Sequence, residues 1–191
     1  MDELKLSILI CNTQSRVKKY LPVIVDDLCK QAEGKDVEIL WLGDNKKRTV
    51  GEKRNALMSI SKGEYFSFVD DDDRVSPNYV DDILREIRHR PDVVVFQAFR
   101  SHNGKQDRVV HYDINYVKDE NLTQRYQRLP NHLMAWNEKY KSVKFIKSNF
   151  GEDADWAQRV KAKGVTTQRK INRVLYYYDF QSKNTETQNF I

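Results

Sequence analysis

The chain has 191 residues, enough for one well-buried core and too few for two ordinary domains. Its 33 Lys and Arg against 28 Asp and Glu give a net charge of +5, and several of the acids are crowded into one stretch. The rest of the surface is thus more basic than the total implies and would attract polyanions, nucleic acid among them. With no run of about 18 apolar residues and no basic-then-apolar amino terminus, the reading is a soluble, cytoplasmic protein without signal peptide or membrane partner.

Leu4 to Cys11 reads as a buried strand, followed by a helix over Val17 to Glu33 with apolar residues at Val17, Leu21, Ile24, Val25 and Leu28. Val37 to Leu42 is a second apolar strand. Thr49 to Ser61 has helical spacing through Ala56, Leu57 and Ile60; Gly63 ends it, and Tyr65 to Val69 forms a third strand. This βαβαβ pattern demands a parallel sheet. Val80 to Arg90 is a further helix stopped before Pro91, and Val93 to Phe99 is another strand. A polar turn around Asn103-Gly104 leads into Val109 to Val117, which would pair antiparallel and make the sheet mixed. Glu120 to Arg128 carries no clear signal. Asp153 to Gly164 reads as a helix, Arg173 to Tyr178 as a late strand, and residues 182–191 as a polar, mobile tail on a single domain spanning 1–191. Cys11 in a strand and Cys29 in a helix have no metal-ligand spacing and read as reduced core thiols.

The most informative stretch is the third strand, which ends abruptly in Asp70-Asp71-Asp72-Asp73. In an open α/β sheet ligands collect outside the carboxyl ends of the strands. Hard oxygen ligands placed there suit Mg²⁺ or Mn²⁺ carrying a substrate phosphate. The plainer alternative is an acidic loop ahead of the next helix, with Ser76-Pro77 as its cap and first turn. Charges this dense repel one another unless a cation shares them, which favours the site.

An ordered set of segments resembles family 2 glycosyltransferases of the GT-A fold. These are Ser7-Ile8-Leu9-Ile10 leading to Asn12-Thr13; Glu38-Ile39-Leu40-Trp41-Leu42 ending in Asp44-Asn45; and Gly51-Glu52-Lys53-Arg54-Asn55-Ala56. The acidic strand end and Gly151-Glu152-Asp153-Ala154-Asp155-Trp156 complete the set, which covers roughly residues 4 to 180. The resemblance implies a Rossmann-like, mainly parallel mixed sheet flanked by helices in one domain. It further implies a metal-dependent, inverting transfer of a sugar from a UDP-sugar donor to an acceptor hydroxyl.

On that resemblance Asp72 is the direct metal contact, Mn²⁺ or Mg²⁺, and the metal stabilises the charge gathering on the leaving diphosphate. Asp70 would hold the ribose or nearby backbone, with Asp71 beside it and Asp73 in a supporting place. Asp44 matches the position that accepts a hydrogen bond from the base, compatible with uracil N3–H, and Thr13 lines the same pocket. Arg54 packs near the base or phosphates and Lys53 is a phosphate contact, although Lys46, Lys47, Arg48, Lys53 and Arg54 also read as a basic solvated face. Asp153 matches the general base, which must reach the acceptor hydroxyl opposite the leaving group. Glu152 accompanies it; as isolated residues both would be first-turn acids at a positive helix end. His132 and Trp136 are candidates for the acceptor or donor-sugar pocket. Many relatives carry a histidine after the late aromatic strand, where this chain has Gln181, leaving Asp179 or solvent to complete the metal shell.

The acceptor read this way is soluble or polyanionic, and one extension is a hydroxylated base in DNA, which would need phosphate-contacting Lys and Arg. A rival of another class is a catalytically idle GT-A domain that binds nucleic acid or protein. A third, a nucleotidyltransferase, usually carries a glycine-rich phosphate loop after the first strand, and Asn12-Thr13-Gln14-Ser15-Arg16 has no glycine.

Overall fold

A computed structural model of the chain describes residues 4–121 and 126–180. The expected tail at 182–191 and Gln181 lie outside the described residues, as does the side chain of Asp179. The first half alternates strand and helix: β1 (Leu6–Thr13), α1 (Leu21–Ala32), β2 (Val37–Asp44), α2 (Val50–Ile60), β3 (Tyr65–Phe68), β4 (Arg74–Val75), α3 (Tyr79–Ile87) and β5 (Val93–His102). Then follow β6 (Lys105–Tyr112), β7 (Glu120–Asn121), β8 (Tyr126–Arg128), β9 (Ala135–Asn137), a 3₁₀ turn (Glu138–Ser142), α4 (Glu152–Ala162) and β10 (Gln168–Phe180).

β1 lies at the centre of the parallel part, with β2 and β3 on its two sides. Its side chains are buried on both faces, as the continuous apolar run requires once helices cover the sheet. α1 begins at Leu21, four residues later than its apolar spacing suggests. Pro22 has no N–H to give and sits in the first turn, so residues 14–20 form turns that hang over the end of β1. α2 starts where the sequence places it: the Thr49 side chain accepts from Glu52 N at 3.2 Å while the Glu52 carboxylate accepts from Thr49 N at 2.9 Å, a reciprocal cap. α3 has Asn78, not Ser76, at its N-cap position, with no side-chain cap bond, and starts one residue earlier than expected.

The later half departs further from the expectation. β9, only three residues long, enters the sheet between β3 and β5 and runs antiparallel to both. β5 carries β9 and then β6 along one edge and the long β10 along the other. The β5–β6 hairpin turns at Asn103 and Gly104, whose φ values of +52° and +75° are those of the two central residues of a type I′ turn. The sheet is mixed, as expected. Among its core, Trp156 stacks on Phe145 at 5.0 Å and meets Trp136 edge-on at 5.3 Å. Cys11 is half-buried and Cys29 exposed; both are free, so Cys29 is not the core thiol the sequence suggested.

Asp92, at the start of β5, fixes where β9, α4 and β10 meet. Its carboxylate accepts from Thr166 N (2.8 Å), Thr166 Oγ1 (3.1 Å) and Thr167 N (3.0 Å), and pairs with Lys139. Burial alone would raise its pKa, but Lys139 and these donors outweigh burial and bring it down to about 2. A carboxyl depressed below its ordinary 3.8 contributes stability that is complete above the ordinary value and is lost as pH falls through 2. The contribution is about 2 kcal/mol. Asp92→Asn should therefore lower unfolding free energy by about that amount at pH 7 in urea titrations. The gap to the parent should close as pH is taken from 4 towards 2; a gap that stays constant with pH would refute the assignment.

Candidate functional site

The strand ends β1, β2 and β3 and the amino-terminal half of α2 meet at one edge of the sheet. At the end of β2, Asp44 pairs with Lys53 Nζ at 2.9 Å and accepts from Arg48 N at 2.9 Å. Burial would raise the Asp44 carboxyl, but Lys53 and the backbone N–H groups of Arg48 and Lys46 hold it below the usual range. Lys53 is itself buried and donates to the carbonyl of Asn12 at 2.8 Å. So Lys53, expected on a phosphate or a solvated face, instead ties β1 to β2 beneath Asp44. Thr13, at the end of β1, is buried beside this pair.

The acidic run forms a tight turn after β3. Asp73 N donates to Asp70 O at 3.2 Å; Tyr176 OH on β10 donates to the Asp73 carboxylate at 2.7 Å and accepts from Asp70 N at 3.0 Å. Asp73 thus holds the turn's shape. Asp71 is buried, accepts from Asn12 Nδ2 and pairs with Arg16 at 2.7 Å; Asp72 also pairs with Arg16. Burial, with Asp72 and Asp70 beside it, outweighs Arg16 and lifts the Asp71 carboxyl to about 7.

Arg54 is the hub of the other side. Its guanidinium is 4% exposed and reaches Glu152 at 2.6 Å, His132 Nε2 at 2.9 Å and Asp70 at 3.5 Å. The rings of Phe68 and Phe145 lie 5.7 and 5.4 Å from it, within cation–π range. Burial would raise Asp70, but His132, Arg54 and Arg16 keep it ionised well below the usual range.

The neighbouring Asn55 explains why an Arg-Asn pair serves here. Asn55 Nδ2 donates to Phe145 O at 2.9 Å and Asn55 Oδ1 accepts from Phe145 N at 2.8 Å. The free N–H groups at the start of α2 go to the same loop: Val50 N to Asn149 Oδ1 at 2.9 Å and Gly51 N to Ser148 O at 3.1 Å. A Cβ on Gly51 would sit 2.0 Å from Ile146 O, so only glycine permits this approach. In this way α2 positions the loop that delivers Gly151-Glu152-Asp153 to the site.

A cavity of about 600 Å³ opens between this hub and the β6–β8 ribbon. Arg54, Asp70, His132, Glu152 and Asp153 line one side; Arg100, Tyr112, Tyr126, Arg128 and Tyr178 line the other. Asp153 stands 3.7 Å from Arg128 Nη2. Burial would raise its carboxyl, but His132, Arg128, Arg54 and the Ala154 N–H outweigh that and leave it below the ordinary range, an ionised acceptor of protons. Of the expected pocket residues, His132 and Glu152 are therefore at the cavity and Trp136 is not. Trp136 is 1% exposed, packs on Trp156 and Tyr140, and donates Nε1–H to Asn131 O at 2.7 Å.

The hard-oxygen donors of Asp70 and Asp72, each with about a third of its side chain exposed, fit a divalent ion. Among the described residues no three His, Cys, Asp or Glu side chains are grouped to hold a metal by themselves.

The family model for glycosyl transferase family 2 matches residues 3–162, most of the chain and every element of the site but β10. The chain belongs to glycosyltransferase family 2. Solved structures agree with the family 2 fold. The S. aureus TarS 1–349 crystal structure in complex with UDP-GlcNAc superposes with a TM-score of 0.70 at 14% identity, over 98% of this chain and 62% of that one. The same TarS fragment in complex with UDP gives 0.66 at 16% identity over 92% and 60%. The longer S. aureus TarS gives 0.64 at 16% identity over 92% and 36%. This chain thus spans about 60% of the TarS 1–349 fragment. A comparison of the sequence with curated proteins finds no match. No helix among the described residues is long and apolar enough to cross a membrane.

Proposed function

We propose that the chain moves a sugar from a UDP-sugar to an acceptor hydroxyl with inversion at the anomeric carbon. The observation that carries this reading is the placing of an ionised Asp153 in the wall of the 600 Å³ cavity that also meets Asp70. Asp44 would accept from the base, above the Lys53 pair that keeps it charged. Thr13 would flank it. Asp72, with Asp70 beside it, would hold Mg²⁺ or Mn²⁺, which supplies positive charge to the leaving diphosphate. Asp153 would take the acceptor hydroxyl's proton as that oxygen attacks from the far side of the sugar. Glu152 and His132, both held by Arg54, keep the sugar-side wall fixed. The UDP and UDP-GlcNAc complexes of TarS support a uridine nucleotide in a fold of this kind.

The acceptor side would be formed by Arg100, Arg128, Tyr112, Tyr126 and Tyr178, which suits a soluble or polyanionic acceptor. A hydroxylated base in DNA is the most specific form of that class; its affinity for the protein would fall steeply as salt rises.

Calorimetric titration of UDP, GDP, CDP and TDP, each with Mn²⁺ and with EDTA, tests the donor half. UDP should bind at least about tenfold more tightly than GDP or CDP in Mn²⁺, the discrimination available from one or two base hydrogen bonds, and EDTA should abolish most of the heat. Absence of binding by every nucleotide would favour a domain that serves only to bind nucleic acid or protein.

A further inference from the structure

Four consecutive carboxylates repel one another; Arg54 faces Asp70 and Tyr176 holds Asp73, and the middle two are met by one side chain from the turns after β1. Arg16 pairs with Asp71 Oδ1 at 2.7 Å and with Asp72. Its side chain is 19% exposed and its guanidinium lies 5.1 Å from the centre of the Tyr20 ring. The carboxylate expected to hold a metal is therefore already engaged by a fixed positive charge. A divalent ion arriving alone would have to displace the guanidinium from Asp72 and would bring no anion in exchange. An ion arriving with a nucleoside diphosphate brings such an anion, because phosphate oxygens match the planar fork of arginine as well as carboxylates do.

We infer that Arg16 is a built-in counter-cation: it holds Asp71 and Asp72 until a metal–diphosphate pair arrives, then turns from Asp72 onto the diphosphate. This rests on the metal-and-UDP reading of the site above. Two consequences follow with opposite signs. In the absence of nucleotide Arg16 competes with the metal; in its presence Arg16 helps to hold the metal–nucleotide pair. The result is positive coupling between metal and nucleotide, reciprocal by thermodynamic necessity.

The test is Mn²⁺ binding read from the free-ion EPR signal, with the metal alone and with UDP added, on the parent protein, Arg16→Gln and Arg16→Lys. Arg16→Gln should bind Mn²⁺ alone about tenfold more tightly than the parent, the effect of removing one adjacent like charge. It should also lose about tenfold of the tightening that UDP gives. Arg16→Lys keeps the charge and should stay within about threefold of the parent for the metal alone. Should Arg16→Gln not fold, judged by its thermal melt, Arg16→Ala provides the same comparison. UDP-dependent Mn²⁺ uptake that is the same in parent and Arg16→Gln, or metal-alone affinity that falls in Arg16→Gln, overturns the inference while leaving the donor-site reading intact. No Mn²⁺ uptake by the parent even with UDP overturns the metal reading, and this inference with it.

Discussion

Asp153→Asn is expected to lower sugar transfer by about 10²–10⁴-fold, the range over which a positioned general base accelerates proton transfer, with UDP affinity in Mn²⁺ unchanged within about twofold. Asparagine keeps the size of the side chain and an oxygen that can face Arg128, 3.7 Å away. What it loses is the negative charge that makes the oxygen basic enough to take a proton. Because His132, Arg128 and Arg54 hold the Asp153 carboxyl below its ordinary range, the base is fully ionised at neutral pH. The acid limb of the parent's rate profile belongs below the ordinary carboxyl value of 3.8, where the carboxyl takes up its proton and activity falls. Initial rates across pH with a saturating UDP-sugar, together with calorimetric UDP binding by both proteins, provide the check. A variant that retains a tenth or more of parental turnover would remove Asp153 from the role of base.

The first half of the fold could be read from the sequence because each element carries its own signal. α2 has both halves of a capping box and β1 has an uninterrupted apolar run between turn residues. The second half could not, because its elements are defined by partners and not by pattern. β9 has three residues and exists only because β3 and β5 leave a slot between them. Trp136 belongs to that short strand, so the ring that suggested a sugar platform is directed into the core by the pairing of Phe66 with it. Tyr126 and Arg128 sit on β8, whose parallel pairing to β6 gives no periodic signature in so few residues. The acidic motifs were legible as motifs, whereas their counter-charges were not. Arg16, Arg54 and Arg128 meet Asp72, Glu152 and Asp153 only through the fold, and Arg54 alone lay inside a motif the family resemblance pointed to.

Arg54→Ala is expected to destabilise the protein by about 3–5 kcal/mol, the cost of removing one partner from a buried ion pair and leaving the other charged and dry. The case for the upper part of that range lies in how many groups depend on this one side chain. Glu152 is 5% exposed and His132 4%, and the Arg54 guanidinium is bonded to both, with Asp70 at 3.5 Å. The truncation also vacates the space between Phe68 and Phe145. Arg54→Lys should recover only part of the loss, because an ammonium cannot offer the planar fork that faces Glu152 and His132 together. The decisive comparison is the double variant Arg54→Met with Glu152→Gln. Removing both charges at roughly constant volume should be less destabilising than Arg54→Ala alone by about 1 kcal/mol or more, since Glu152 is then not left as a buried charge without its partner. Urea unfolding of the four proteins measures all of this. If Arg54→Ala costs under about 1 kcal/mol, the pair is reached by water and contributes no more than a surface ion pair, and the fixed sugar-side wall drawn from it falls as well.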